Sequence, residues 1–441
     1  MIFKRLILWC LIFITHNVFA NKALILSDIH FTPFANCSAL PLFCTKNKQL
    51  EVLPVSSWTF KDSKPNEYRE ETNSYFLINA LDSLGIKLKT ESSFDIFVTG
   101  DLLAHSFDEQ YRYYYNPFAS KGEVSDFSYK TISYVLFQIH KAFPKSSIYY
   151  VLGNNDTDTQ DYNLPTDEWL HKVAKSAAAN LPHSEQADFI SQFSSSGYYS
   201  LALSGGVQLI GLNINPLSNK ATDNKSKQVA QDELIWLEKQ LSIIASSKRH
   251  AIILQHIPLG IDVYKTSQRN QTIMLLDSQL QSKYLGILKK YSQQVSIIYA
   301  GHFHSEYWQE VYNIPVMGTL SFNTLFGNHG GAKLVNYDTS NGKLNNYVTY
   351  VVAIGNKTTT WQELYNYPNS YSTTKQLGAF IKDLPYQISD TKVKQYRLFY
   401  NGGVRKYPQP ISNDIFWKNY YCFLNNINLA EFKNCIAKVN K

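Results

Sequence analysis

The chain reads as a layered α/β sandwich with a small, mainly helical C-terminal subdomain, and three observations predict it. Strand-like and helical segments alternate through the first two thirds, a run of short strands follows over 308–353, and from about Thr360 the pattern turns to helices and aromatic-rich loops. The strands are short apolar runs, and five of them end at once in a residue able to bind a metal. Composition agrees: of 441 residues, 44% are hydrophobic and only 17% charged, which supplies a sizeable core and excludes a disordered chain.

Residues 1–20 have the layout of an export leader. Lys4 and Arg5 open it, 6–14 are apolar, and Val18-Phe19-Ala20 forms a small-residue cleavage site. The apolar run falls short of the about 20 residues a membrane span needs, and no later stretch is long enough. A secreted or periplasmic protein without a transmembrane anchor is therefore expected, with a main domain over 21–355 and the helical subdomain over 356–441. An envelope protein that keeps its N-terminus is the rival reading.

The first strand lies within 21–34 and ends in Asp28-Ile29-His30. After an irregular excursion over 35–70, Phe76, Leu77, Ala80, Leu81 and Leu84 predict a helix over 72–84, stopped by Gly85. The strand 94–98 breaks at Gly100 and Asp101. Residues 111–118 read as a tyrosine-rich loop, and a second helix covers about 126–143. The next strand, 148–152, runs into Gly153-Asn154-Asn155-Asp156. A hairpin spans 197–213 around Ser204-Gly205-Gly206, and a helix covers 231–244. The last two marked strands run into His256 and into Gly301-His302-Phe303-His304.

Outside the leader stand four cysteines, Cys37, Cys44, Cys422 and Cys435. In an exported chain, two close pairs favour local disulfides Cys37–Cys44 and Cys422–Cys435 among the possible connectivities. Zinc ligation by these cysteines is the alternative, and no CxxC spacing supports it. Setting aside Lys4 and Arg5 leaves 40 basic residues against 35 acidic, a net charge of +5. No dense basic run accompanies it, so no nucleic-acid specificity is indicated, and anionic small molecules are compatible.

Any one strand end has a bland reading, since a Gly-Asp turn after a strand is commonly structural. Five together, in the order DxH, GD, GNN, H and GHxH, point to a metal site, because open α/β sheets bind ligands at the C-terminal ends of their strands. The candidate ligands are Asp28, His30, Asp101, Asn154, His256, His302 and His304. Seven nitrogen and oxygen donors exceed the needs of one tetrahedral ion and imply two divalent metal ions, with Asp101 as the natural bridge. Extended backbone would point Asp28 and His30 the same way, and likewise His302 and His304. Histidine-rich ligation suits zinc first, and iron or manganese also fits.

This ordered set resembles the calcineurin-like metallophosphoesterases over roughly residues 22–340. The resemblance implies an αββα sandwich and two ion sites. One would take Asp28, His30, Asp101 and His304, the other Asp101, Asn154, His256 and His302. It also implies hydrolysis of a phosphoester by hydroxide formed between the ions. Gly100-Asp101-Leu102-Leu103-Ala104-His105 is similar to the GD-x-x-AH block of the acid-sphingomyelinase-like branch. Tyr420-Tyr421-Cys422 with Glu431-Phe432-Lys433-Asn434-Cys435 is similar to that branch's cysteine-paired tail. His105 is then the expected proton donor to the leaving oxygen. The expected substrate is a small-molecule phosphodiester or phosphoanhydride of nucleotide or phosphocholine type, handled by a monomer.

Two departures qualify the substrate. Asn155 stands where acid sphingomyelinases carry a catalytic histidine, and a substrate-contacting role is expected of it. The Gly-Asn-Asn-Asp form instead looks like exported polyphosphatase-like relatives, which makes an endopolyphosphatase-like hydrolase the second expectation. The first strand also begins almost at the expected cleavage site, leaving no place for the saposin-like domain of acid sphingomyelinase. Both departures count against sphingomyelin. A secreted, inactive binding protein of the same fold is a third reading, opposed by the complete ligand set.

Overall fold

The computed structural model describes residues 20–35, 37, 48–60, 65–91, 93–354, 359–405 and 410–440. The expected leader lies outside them except for Ala20, where the first strand begins, and so does Cys44 of the expected Cys37–Cys44 pair. Twelve strands occur among the described residues. They are β1 (Ala20–Leu26), β2 (Asp95–Val98), β3 (Ile148–Tyr150), β4 (Tyr199–Ala202), β5 (Gln208–Gly211) and β6 (Ala251–Leu254), then β7 (Val295–Ala300), β8 (Trp308–Val311), β9 (Ile314–Gly318), β10 (Gly330–Asp338), β11 (Leu344–Val352) and β12 (Trp361–Tyr367).

They form two mixed six-stranded sheets, ordered β12-β11-β10-β1-β2-β3 and β4-β5-β6-β7-β9-β8. In the first, β1, β2 and β3 run parallel; in the second, β5, β6, β7 and β9 do. The sheets face each other, with the Phe97 and Tyr299 rings 6.1 Å apart across the interface. Side-chain alternation sorts the two faces of the second sheet. Ile252, Leu254, Ile297 and Tyr299 join the core shared with the first sheet, whereas Ile253 and Ile298 join Leu237, Leu241 and Leu288 of the covering helices Asn224–Ser246 and Ser278–Lys290. Burying each such aliphatic side chain contributes about 1.5–3 kcal/mol. Helices Ser74–Lys87 and Lys121–Ala142 cover the first sheet, which completes an αββα sandwich.

Local chemistry explains where the helices depart from expectation. The second starts at Lys121 rather than near 126 because Ser120 and Glu123 form a capping box. Residues 111–118 are not a plain loop: Phe107–Tyr114 is helical, and tertiary packing decides it. Tyr111 lies 5.2 Å from the Phe127 ring and donates its hydroxyl to Glu51 Oε1 at 2.7 Å. The division expected at 355/356 falls inside the first sheet, since β12 pairs with β11 and buries Trp361, Tyr365 and Tyr367. Helices follow only from Leu377–Lys382 onward.

The C-terminal helices Asp414–Asn425 and Leu429–Val439 are joined by the Cys422–Cys435 disulfide. Phe423 of the first of them sits 5.8 Å from the ring of Phe303, between two candidate metal ligands. Among the described residues no helix is long and apolar enough to cross a membrane.

Candidate metal centre

The parallel strands of both sheets end on the same side of the sandwich, and the segments leaving them stay hydrogen-bonded to one another. Asp28 N–H donates to Gly100 C=O at 3.0 Å and His30 N–H to Asp101 C=O at 2.9 Å. In the second sheet Gly301 N–H donates to His256 C=O at 2.9 Å. His302 N–H crosses between sheets to Asp28 Oδ1 at 3.0 Å.

Extended alternation does not aim the ligands, contrary to expectation. Five of the seven have left-handed backbone: φ is +50° at Asp28, +47° at His30, +57° at Asp101, +72° at His302 and +55° at His304. Asp and His tolerate this region better than most residues, yet it costs roughly 1 kcal/mol apiece. Chain crowding sets the glycines. A Cβ on Gly153 would meet the backbone nitrogen and Oδ1 of Asp101 at 2.1 Å, and one on Gly301 would lie 2.2 Å from Ser27 Oγ. Neither glycine has positive φ, so both are there for space.

The histidine tautomers follow from their partners. A carbonyl only accepts, so Nδ1–H of His30 donates to Leu103 C=O at 3.0 Å and Nδ1–H of His256 to Thr99 C=O at 2.8 Å. Each Nε2 lone pair is thereby turned inward. His30 Nε2 lies 3.1 Å from His304 Nε2 and 3.4 Å from Asp101 Oδ2, and His304 Nε2 lies 3.4 Å from Asp28 Oδ1. On the other side of the same Asp101 oxygen, His256 Nε2 is 3.2 Å away, 3.1 Å from Asn154 Oδ1 and 3.3 Å from His302 Nδ1. Buried acceptors converging in two groups around one shared carboxylate fit a pair of divalent cations, and backbone carbonyls fixing Nδ1 are the usual companions of such ligands. Asp28, His30 and Asp101 form one group of potential metal ligands and Asp101, His256 and His302 another.

Charges agree with that fit. Burial holds His30 down to about 4 and His302 and His304 well below the usual histidine range, so all three are neutral. Burial, with Asp101 beside it, pushes Asp28 up to about 7. For Asp101 burial acts upward, but His256 outweighs it and keeps the carboxyl well below the usual range. For His256 burial acts downward, and Asp101 reverses it, lifting the imidazole to about 9. A metal ion would displace that proton.

His105 lies at the rim, its side chain 38% exposed and its ring stacked on His30 at 4.1 Å. His30, His105 and His304 also form a group with metal-ligand spacing. Asn155 is buried and turned to the shared carboxylate: its N–H reaches Asp101 Oδ1 at 2.8 Å and its side-chain amide reaches Oδ2 at 2.7 Å. Sequence reasoning passed over three residues that shape the centre. Glu71 Oε1 is 2.8 Å from His105 Nδ1, and its Oε2 accepts from the Asn323 amide at 3.1 Å. Asp156 accepts from the backbone of Gly153 at 2.9 Å, Leu102 at 2.8 Å and Leu103 at 3.0 Å, clasping two ligand loops. Tyr162, with φ +70°, donates its N–H to Asn154 C=O at 3.2 Å and stands edge-on to His302 at 6.2 Å. Asp156 alone had a signal, closing the Gly-Asn-Asn-Asp run.

No family model matches the chain. A sphingomyelinase phosphodiesterase C of Dictyostelium discoideum is 24% identical over 174 residues, covering 39% of this chain and 37% of that protein. An acid sphingomyelinase-like phosphodiesterase 3b of Homo sapiens is 20% identical over 323 residues, 68% of each chain. The matched stretch thus spans little more than a third of the first relative. Among solved structures, a dimetal phosphatase from Danio rerio is 11% identical, covering 77% of this chain and 98% of that one at a TM-score of 0.46. The structure of PhoD is 8% identical, covering 79% and 69% at a TM-score of 0.43.

Ordered donors sent to one centre from two facing sheets are the arrangement that the resemblance to calcineurin-like metallophosphoesterases implies. Both sequence relatives are sphingomyelinase-type phosphodiesterases, so proteins of acid sphingomyelinase-like type are what the chain is similar to.

Proposed function

We propose that this chain is an exported hydrolase of phosphodiester or phosphoanhydride bonds, working as a monomer with two divalent ions, zinc first among them. The observation that carries the reading is the pair of inward-turned donor groups sharing Asp101. Asp28, His30, Asp101 and His304 would hold one ion, and Asp101, Asn154, His256 and His302 the other. Bound there, two cations supply charge against the phosphoryl oxygens and lower the pKa of water.

The chain's own residues do the rest. Asn155 fixes the rotamer of Asp101 through both carboxylate oxygens. His105 supplies the proton that the leaving oxygen takes up. Burial alone would lower its pKa, and the Glu71 carboxylate raises it instead, which keeps a proton on the ring. The ring lies at the mouth, where a leaving group departs, and its stacking on His30 fixes its plane. Export is supported by the leader-like start and by the Cys422–Cys435 disulfide.

The test is metal content of the purified chain, with hydrolysis of bis-nitrophenyl phosphate, ATP, CDP-choline, sphingomyelin and polyphosphate assayed beside it. Two ions per chain with turnover of diester and nucleotides is the expected result, and Asp101→Ala should lose both metal and turnover. A chain without metal or turnover would be a binding protein of this fold. Turnover confined to polyphosphate would make it an endopolyphosphatase, which Asn155 in place of a histidine favours.

A further inference from the structure

Beside the metal centre lies a second cavity of about 220 Å³, and it shares a wall with that centre. His302 lines both, and Tyr162 joins them by its hydrogen bond to Asn154 C=O. Three cations line the cavity: Lys220 on the loop after β5, and Lys265 and Arg269 on the helix Val263–Arg269. Against them stand Asp262, 3.2 Å from Lys265 Nζ, and Asp161, close enough to Lys220 to act on its charge. Asp262 is already committed, since its Oδ1 caps the helix at Lys265 N–H, 3.0 Å away. The balance is positive, and burial together with Lys265 pulls the Lys220 ammonium down to about 8. An ammonium crowded by a neighbouring cation is relieved by an anion placed between the two.

We propose that this cavity is an anion subsite that takes the phosphate adjacent to the scissile one, so that the centre acts on phosphoanhydrides in preference to phosphocholine esters. The inference rests on the hydrolase reading above and names its substrate class. Choline needs a free aromatic face or a carboxylate. The one aromatic face at this wall, Tyr162, is already covered by Lys220, whose Nζ lies 4.2 Å from the ring centroid and 2.6 Å from the hydroxyl. A quaternary ammonium entering here would meet a lining of net positive charge, whereas a phosphate would gain charge-assisted hydrogen bonds from Lys220, Lys265 and Arg269.

Two measurements on the full chain test this. Calorimetric titration of metal-stripped protein with inorganic tripolyphosphate should show binding, weakened about tenfold or more in Lys220→Met and in Arg269→Gln. Arg269 is exposed at a helix end, so its variant keeps the fold if Lys220→Met does not. With metal restored, the ratio of kcat/KM on ADP or tripolyphosphate to that on nitrophenyl phosphorylcholine should exceed one and fall about tenfold in the same variants. Preference for ADP assigns the subsite to a nucleotide, and preference for tripolyphosphate to an inorganic chain. Absent or unaltered tripolyphosphate binding, or a ratio that ignores both substitutions, overturns the subsite. Failure of the metal-loaded chain to hydrolyse any ester would overturn the hydrolase reading instead, leaving the binding result to stand by itself.

Discussion

Gly153 separates two kinds of requirement that a ligand scan would merge. It donates nothing to a metal, yet a methyl group there would overlap Asp101 at 2.1 Å. Gly153→Ala should therefore cost about 10–100-fold in metal affinity with every ligand in place, read by titration against a competing chelator. His105 makes the complementary case. His105→Ala should slow alkyl esters by about 100-fold and nitrophenyl esters far less, because only the former need a proton on the leaving oxygen. Glu71→Gln should lose in the same sense by a smaller factor, and equal losses on both ester types would dismiss His105 as the donor. At this scale the seven candidate ligands and His105 were legible because each sits at or just past a strand end with a local signature. Glu71 and Tyr162 were not, because they reach the centre from long connections whose course only tertiary contacts decide. Nor did any letter of the sequence announce the left-handed φ of the ligands.

The helix Asn224–Ser246 shows what an element contributes beyond its apolar stripe. Glu233 is fully enclosed, accepts the Asn213 N–H at 2.7 Å through Oε1, and has a second oxygen without a partner. Burial pushes this carboxyl well above the usual range, so the folded chain holds it protonated where the unfolded chain ionises it. Its stabilising share is whole below the ordinary carboxylate pKa and drains as pH rises toward the folded value. Glu233→Gln keeps an acceptor for Asn213 and does not ionise. Its melting temperature should therefore gain on the parent steadily from pH 4 to pH 8, and parallel curves would show the carboxyl is not buried in solution. Helices were legible by periodicity, but their starts depended on caps such as Ser120 with Glu123. The tyrosine-rich 111–118 stretch was misread because its polar spacing hid an aromatic packing face supplied by Phe34 and Phe127.

Across the molecule, candidate ligands come from both sheets. Asp28, His30, Asp101 and Asn154 follow β1 to β3, while His256, His302 and His304 follow β6 and β7. The sequence revealed the alternation of strands and helices and their marked ends, but not which sheet each strand joins, since pairings such as β1 with β10 link distant residues. That the first sheet continues through β12 was hidden for the same reason. An ion held between the sheets binds the folded state alone, so chelation should lower the melting temperature and added zinc or manganese restore it.

The left-handed ligands carry this further. Five candidate ligands strained by roughly 1 kcal/mol each make the centre a weak point of any chain stripped of metal. Metal-free chain is then the form that proteases cut first, near the loops after β1, β2 and β7. Limited proteolysis should release those fragments from stripped protein and spare the loaded form. The amount of intact protein would then track the supply of metal, so that scarcity removes the molecule along with its activity.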